Sequence, residues 1–412
     1  MSRMGTSIWM RTFGYLAVGE AATGLLRFAA LLWVARTLGP AGFGVVGVGL
    51  AVASYVVMAH SGMEAVGVRR VAADPGDPRR HVEELVGARI GVAVVTYALT
   101  AVALLVFPAG DEVRRVTLVY SLSLFTLAVD LRWWFVASEE TKPVAVAVTT
   151  SAATYLVGVL AFVREPHDLI FVPVLHVGAE LVSATLLGMW ARRRFGAFRP
   201  RLVSTPWVRN LLESAPLSGI KVARAVMLGF DVVAIKLLVG SSEAGQYAAA
   251  RRFALVGMIV VGLYFNAFLP RLVKVDRDSH RQGSALLRTA WLRSAVAMIP
   301  LGVVGSVAAA PSVAFLLGED YRQAGTVLAW LVWTVVLASL IGPFQQALIA
   351  RDAAGAALAA TTVAAVTAVG LALVLIPRYS LVGAAAAGVA AEVVRLAGSV
   401  VAVRRTEKAL VS

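Results

Sequence analysis

The chain has 412 residues, of which 59% are hydrophobic and 15% are charged, and its mean hydropathy is +0.79. Soluble domains are about half apolar and about a quarter charged, so this composition indicates an integral membrane protein. The lack of cysteine excludes disulfides and thiolate metal sites, and we expect neither a metal nor a cofactor. The net charge of +14 is spread over arginines between apolar segments, which argues against a nucleic-acid partner.

Apolar segments long enough to cross a bilayer, which takes about 20 residues, recur along the chain. They predict an all-α membrane protein with about twelve transmembrane helices. The first segment lacks a small-residue cleavage site, so we interpret it as a spanning helix and not as a signal peptide. The predicted spans are Phe13–Leu38, Gly42–Val68, Val86–Phe107, Val116–Ala137, Pro143–Val163, Ile170–Trp190, Ala215–Val239, Gln246–Leu269, Leu286–Ala309, Ala324–Ala350, Ala353–Ile376 and Leu381–Val403.

Lysine and arginine in the connections predict the orientation of the chain, because basic residues resist translocation across the membrane. One set of connections is rich in both, as at Arg69-Arg70 after the second span and Arg192-Arg193-Arg194 after the sixth. The opposite set is short and holds few basic residues, among them Arg114 and Arg115. We therefore expect the first set of connections, and both chain termini, to lie in the cytoplasm.

A helical hairpin is repeated halfway along the chain, which is typical of a duplicated membrane fold. Six positions carry the repeat at one constant offset, namely Gly39, Gly44 and Arg70 with their counterparts Gly240, Gly245 and Arg271. An even number of spans in each half predicts two parallel six-helix lobes, residues 1–200 and 201–412. The longest connection, Ala191–Ser214, separates them. Chance similarity between two alanine- and valine-rich segments is the alternative.

The first hairpin turn resembles that of a known transporter family. The turn Leu38-Gly39-Pro40-Ala41-Gly42-Phe43-Gly44 with the basic stop Arg69-Arg70, and the turn from Gly240 to Tyr247 with Ala250-Arg251, are similar to those of Wzx-type lipid-linked oligosaccharide exporters. That family shares a superfamily with multidrug/cation antiporters and lipid II flippases. The resemblance implies a two-lobed transporter whose central cavity opens to one side at a time. It also implies a polyprenyl diphosphate-linked oligosaccharide as cargo. A lipid II flippase usually has two more helices, which speaks against that member.

Charged residues inside the predicted spans mark the candidate site. A charge at the centre of a membrane helix costs about 2.5 to 3.5 kcal/mol, so these side chains are expected to face a wet cavity or one another. Arginine presents a planar fork that suits phosphate oxygens, and a diphosphate crossing hydrocarbon needs cations along its route. We therefore predict that the substrate is contacted by Arg27, Lys221, Arg224, Arg251 and Arg252.

Carboxylates in the spans have two interpretations. Glu20, Asp231 and Glu180 are candidates for carrying a coupling proton or Na⁺, because intramembrane carboxylates often serve as relays. Charge balance within the protein is the alternative and the favoured one for Glu20 and Asp231, while Glu180 is expected mainly to pack between helices. The expected pairs are Glu20 with Arg27, Asp231 with Arg224, and Glu392 with Arg395.

Asp130 and Arg132 are interpreted as structural residues. They precede the aromatic run Trp133-Trp134-Phe135 near the cytoplasmic end of the fourth span. Aromatic and arginine side chains at such a position typically anchor a helix at the membrane interface.

Three functions are open at this point. The leading one is a flippase for lipid-linked oligosaccharide in the bacterial cytoplasmic membrane, working by alternating access among membrane lipids, with a polysaccharide polymerase and export machinery as candidate partners. A multidrug or organic-cation antiporter needs acidic cavity walls, whereas the inner residues here lean basic. A membrane enzyme needs a catalytic loop outside the membrane or a carboxylate cluster, and the outer connections are only a few residues long. We therefore predict no catalytic residues.

Overall fold

The computed structural model describes residues 3–73, 78–106, 110–138, 140–197, 199–201, 207–351 and 353–411. Within these ranges the regular structure is helical, and no strand occurs. The all-α prediction is therefore confirmed. Its physical reason is that a helix satisfies its backbone hydrogen bonds internally, which a bilayer requires of a spanning segment.

The first of two compact units runs from the N-terminus to Gly229. Helix α1 packs mainly against α7 and α4, and α7 packs against α8. The helices of this unit are α1 (Arg3–His60), α2 (Gly62–Ala73), α3 (Pro78–Val106), α4 (Asp111–Ser121), α5 (Ser123–Val129), α6 (Arg132–Ala137), α7 (Thr141–Phe162) and α8 (Phe171–Phe195), followed by the first part of α9 (Trp207–Leu238). The fourth predicted span is thus divided into α4, α5 and α6.

The second unit runs from Phe230 to the C-terminus. Helix α12 is its centre, because α10, α11 and α13 all pack on it. The helices are α10 (Ser241–Asp278), α11 (His280–Leu317), α12 (Arg322–Ala350) and α13 (Ala354–Val411), with a short 3₁₀ turn, Glu319–Tyr321, before α12.

Two long helices each contain one non-helical residue where the sequence predicts a break between spans. In α1 this residue is Gly39, with φ 65° and ψ 176°, and in α13 it is Ser380, with φ 51° and ψ −130°. Pro40 follows the first break, and Pro377 lies one turn before the second. The Gly39 conformation is almost closed to residues with a Cβ atom, which explains a glycine at this turn.

Eight helical segments among the described residues are long and apolar enough to cross a membrane. They are Ala22–Val68, Arg79–Val106, Asp111–Ala137, Thr141–Phe162, Pro166–Phe195, Gln282–Leu317, Glu319–Ala350 and Gly355–Glu407. The first and last of these contain the breaks at Gly39 and Ser380. The prediction of several membrane-spanning helices is confirmed, and the count of twelve stays a prediction.

The two units meet in sequence within α9, between Gly229 and Phe230. The early part of α9 belongs to the first unit because it packs on the junction of α1 and α2. There, a Cβ atom on Gly62 would lie 2.7 Å from the carbonyl oxygen of Ser214, so the helices approach backbone to backbone. The predicted division into two lobes, residues 1–200 and 201–412, is based on the sequence repeat, and it stays a prediction.

Candidate functional site

Asp231 and Arg251, two of the predicted site residues, form an ion pair in the second unit. Nη1 of Arg251 contacts Oδ1 of Asp231, and the hydroxyl of Tyr247 donates to Oδ2 at 2.6 Å. Asp231 comes from α9, while Tyr247 and Arg251 lie one turn apart on α10 and therefore share a face. The side chains of Arg251 and Asp231 retain only 14% and 16% of their exposure. The charge of Arg251 is thus balanced by a carboxylate that also accepts from a buried tyrosine.

The sequence predicted Arg224 as the partner of Asp231. The side chain of Arg224 lies outside the described residues, as does that of Glu20, so the pairs proposed for these two stay predictions. Arg27 is exposed on α1, and Arg252 is half-buried on α10 beside Arg251. A contact of either arginine with substrate likewise stays a prediction.

Lys221 anchors α9 to the junction between α1 and α2. Its Nζ donates to the carbonyl oxygen of Ser61 at 3.1 Å. Ser61 is the single residue between the end of α1 at His60 and the start of α2 at Gly62. Carbonyls at a helix end lack intrahelical donors, and the lysine supplies one. This contact gives Lys221 a structural role that the sequence did not predict, beside its proposed role toward substrate.

Glu180 joins α8 to α5. Oε2 of Glu180 accepts from Oγ1 of Thr126 at 2.8 Å, and Oε1 lies 3.3 Å from Nε2 of His176, one turn away on α8. The His176 ring makes T-shaped contacts with the rings of Tyr120 and Tyr155, at centroid distances of 5.4 and 5.8 Å. This geometry is that of a carboxylate packed between helices.

The predicted pair on α13 is present. Oε2 of Glu392 and Nη2 of Arg395 are 3.1 Å apart, three positions along the helix. Both side chains are largely buried.

A buried arginine on α3, Arg89, was missed by the sequence reasoning. Its side chain is 1% exposed. The guanidinium donates to the carbonyl oxygens of Asp130, at 3.1 Å, and of Leu127, and it lies 3.3 Å from Oε1 of Glu64. Helix α5 ends at Val129, where the carbonyl of Leu127 also accepts from the backbone N–H of Asp130 at 3.2 Å. Arg89 supplies a further donor to each of the two carbonyls at this helix end. Arg89 therefore closes the break between α5 and α6.

Asp130 holds the other side of this break. Its carboxylate accepts from the backbone N–H of Arg132 at 2.8 Å and from Nε of the same residue at 2.5 Å. The sequence predicts that the aromatic residues that follow anchor the helix at the membrane interface, but their side chains are almost fully buried inside the protein. Trp133, Trp134 and Phe135 are buried in the core of the first unit, where residues of α2, α3, α7 and α8 join them in one apolar cluster. A polar Asp-Leu-Arg inside an otherwise apolar span was the available signal for the break.

A cluster of charged and polar side chains, which the sequence also did not predict, joins four helices at one end of the second unit. Asp276 lies near the end of α10, Ser284 near the start of α11, Arg351 just after α12, and Glu407 near the end of α13. Arg351 contacts both carboxylates, at 2.8 Å from Oδ1 of Asp276 and 3.3 Å from Oε1 of Glu407, and Ser284 donates to Glu407 at 2.6 Å. Burial opposes the charge of Arg351, but its hydrogen bonds and attraction to Asp276 and Glu407 outweigh burial and raise its pKa.

Known protein families match most of the chain. The model of a family described as polysaccharide biosynthesis protein matches residues 10–276, and that of lipid II flippase MurJ matches residues 226–411. The succinoglycan biosynthesis transport protein ExoT of Rhizobium meliloti (strain 1021) is 24% identical over 337 residues. The matched region is 78% of this chain, and it spans 65% of that relative's length.

Solved transporters share the fold. An inward-facing multidrug resistance MATE family transporter of the MOP superfamily has a TM-score of 0.74 at 13% identity, covering 93% of this chain and 96% of its own. Lipid II flippase MurJ in an inward closed conformation has a TM-score of 0.73 at 12% identity, covering 94% and 87%. An outward-facing MATE family transporter has a TM-score of 0.59 at 13% identity, covering 98% and 96%. At these sequence identities the similarity concerns the fold alone. It confirms the transporter fold that the resemblance of the hairpin turns implied.

Proposed function

We propose that this chain, which belongs to the polysaccharide biosynthesis protein family, is a flippase that moves a lipid-linked oligosaccharide across the bacterial cytoplasmic membrane. The family match over residues 10–276 is the observation that carries the proposal. One relative is named a succinoglycan biosynthesis transport protein, and the second matching family model is described as lipid II flippase. The many apolar helices fit a membrane transporter.

The cargo we propose is a polyprenyl diphosphate carrying a sugar chain, destined for cell-surface polysaccharide. A diphosphate needs compensating cations on its way through hydrocarbon. Arg251 supports this role because Asp231, which also accepts from Tyr247, restricts its orientation. An arginine held in place loses less side-chain entropy when it binds phosphate. Arg27, Lys221, Arg224 and Arg252 complete the proposed set of cations.

We propose alternating access as the mechanism, with both termini in the cytoplasm. Support comes from the fold, which relatives adopt in both inward-facing and outward-facing forms. Exposed arginines at the end of α8, Arg192, Arg193 and Arg194, favour a cytoplasmic location for that end.

Asp231, Glu180 and Glu20 are proposed to balance charge, or to carry a coupling ion. A polymerase and export machinery are the proposed partners in the membrane.

A multidrug or organic-cation antiporter is the second candidate, because the MATE transporter shares the fold. A cation exporter needs acidic walls that attract its substrate. Arginine and lysine dominate the residues proposed for the site here, which favours an anionic cargo. Transport that stops when ion gradients are collapsed would support a coupled mechanism for either cargo.

Deletion of the chain in its host tests the function directly. We expect lipid-linked sugar to accumulate on the inner leaflet, and wild-type protein to restore export. R27A is expected to insert at the wild-type level yet abolish export, and R27K to restore it poorly, because lysine lacks the bidentate fork. R115A, an exposed arginine at the start of the fourth span, is the matched control and should export normally. Deletion without accumulation of lipid-linked sugar would overturn the proposal.

A further inference from the structure

The connection that follows α8 is bound to the start of α3 through one carboxylate. Glu83 accepts from the backbone N–H of Arg199 at 3.1 Å, from Nε of Arg201 at 3.0 Å and from Nε of Arg79 at 3.1 Å. Its side chain is only 8% exposed, although it lies among arginines that are about half exposed. A carboxylate can accept about four hydrogen bonds, so three donors occupy most of its capacity.

A fourth hydrogen bond forms to the backbone of the same residue. The N–H of Arg201 donates to the carbonyl oxygen of Glu83 at 3.0 Å. A helix carbonyl has a second lone pair, but the side chain one turn later normally crowds it. Here that residue is Gly87, and a Cβ atom on it would lie 2.6 Å from the carbonyl carbon of Arg201. The glycine therefore opens the groove in which residues 199–201 lie.

The neighbouring carboxylate shows that this arrangement is specific to Glu83. Glu84 pairs with Arg80 at 3.0 Å on the same helix, one turn earlier, and this pair is far more exposed. Exposed pairs at this spacing contribute little to stability, and this pair joins two residues of the same helix. Glu83 instead joins two parts of the chain more than a hundred positions apart.

Anchoring at Arg201 limits where α9 can begin. Arg201 and Trp207, the first residue of α9, are six positions apart, so the intervening chain spans at most about 20 Å. Helix α9 then lies along the first unit, where Lys221 bonds to Ser61. The connection and the early part of α9 are thus both held by the N-terminal unit, and α9 continues into the second unit at Phe230.

We propose that Glu83, with the groove at Gly87, is a positioning residue for transport that straps residues 199–201 to α3 and so fixes the start of α9. This inference rests on the proposed flippase function for its effect on transport, and on geometry alone for the strap. Glu83 touches no proposed substrate residue. Loss of the strap should therefore slow turnover and leave the apparent affinity for the lipid-linked sugar unchanged.

Trypsin cleavage of the full-length protein in lipid nanodiscs tests the strap. The Arg201–Leu202 bond is followed by mass spectrometry, and cleavage after Arg192–Arg194 serves as an internal reference, because Glu83 contacts none of these three. We expect E83Q and G87A each to speed cleavage at Arg201 about tenfold, which corresponds to about 1.4 kcal/mol. E83Q weakens the hydrogen bonds to the carboxylate, and G87A places a Cβ atom against the backbone of Arg201. The matched controls are E84Q, and G188A, whose added Cβ would meet no atom within 4 Å.

Transport by the same four variants, together with E83D, tests the positioning role. We expect E83Q and G87A to lower kcat severalfold at unchanged KM, E83D to recover part of the loss, and both controls to behave as wild type. Cleavage at Arg201 that is equal in E83Q, G87A and wild type would overturn the strap. Faster cleavage with unchanged kcat would overturn the positioning role. A wild-type protein that moves no lipid-linked sugar, while E83Q still exposes Arg201 to trypsin, would count against the proposed function and leave the strap supported.

Discussion

Nε and Nη2 of Arg351 donate to Oδ2 and Oδ1 of Asp276 at 3.1 and 2.8 Å, so the two side chains form a bidentate pair between the end of α12 and the end of α10. Both side chains are almost fully buried, at 2% and 5% exposure. A planar guanidinium matches a carboxylate in this way, whereas an ammonium group does not. The remaining donors reach Glu407 and Ser284, so one residue ties four helices at one end of the second unit.

Replacing Arg351 by lysine should destabilise the second unit. Lysine keeps the charge but loses the second hydrogen bond to Asp276 and the contacts with α11 and α13. We expect a loss of about 3 kcal/mol, the lower end of the range for breaking a buried pair. Thermal unfolding of the purified protein, followed by intrinsic fluorescence, measures it. R404K, at an exposed position on α13, is the control, and equal unfolding temperatures for R351K and R404K would contradict the prediction.

The break between α5 and α6 should depend on Arg89 to a similar degree. R89M removes the donors to the carbonyl oxygens of Leu127 and Asp130 but fills much of the same space. The carbonyl of Asp130 then loses this donor, whereas the carbonyl of Leu127 keeps the backbone N–H of Asp130 and Glu64, at 32% exposure, is only partly buried. A buried group left unsatisfied costs about 1 to 3 kcal/mol. We expect a lower unfolding temperature and less folded protein in the membrane. R80M, at a side chain that is 61% exposed, should change stability by less than about 0.5 kcal/mol.

Two substitutions at the Asp231 pair should separate its charge from its hydrogen bond. D231N leaves Arg251 without its carboxylate, whereas Y247F removes one neutral donor and keeps the pair. We expect D231N to lower export strongly and Y247F to cost about 1 kcal/mol of stability with export largely retained. Export of lipid-linked sugar and unfolding temperature are measured on the same preparations. Equal export by the two variants would show that the charge of Asp231 has no special role.

Much of the fold follows from apolar spacing and turn residues. The hairpin break at Gly39 was predicted because a glycine followed by proline interrupts an apolar run, and the structure puts φ at 65° there. Ser380 breaks α13 within the short connection predicted between Ile376 and Leu381, where Pro377 marks a helix boundary. The pair of Glu392 with Arg395 followed from their spacing alone, because side chains three positions apart on a helix are neighbours.

Contacts between distant helices did not follow from the sequence. Arg89 lies near the start of the predicted span Val86–Phe107, and nothing in its sequence neighbourhood identifies the carbonyls of a broken helix as its partners. Arg351 directly follows the predicted span Ala324–Ala350, and its partners are equally distant in sequence. The structure brings Arg251 and Tyr247 to Asp231 from α10, and the spacing of residues along α9 could not predict these two partners. Local spacing reveals partners within one helix, and packing decides the partners between helices.

Two glycines of α1 should respond in opposite ways to alanine. A Cβ atom would meet no other atom within 4 Å at either Gly24 or Gly39, so crowding contributes at neither position. Gly39 has φ 65°, a conformation that costs a residue with a side chain about 1 to 3 kcal/mol, whereas Gly24 lies within a regular helical stretch. We expect G39A to lower the unfolding temperature and G24A to raise it, because alanine is favoured over glycine in a helix by about 0.5 to 1 kcal/mol. Thermal unfolding of both variants in one detergent compares them directly, and a G39A protein as stable as G24A would show that the hairpin can turn without a left-handed residue.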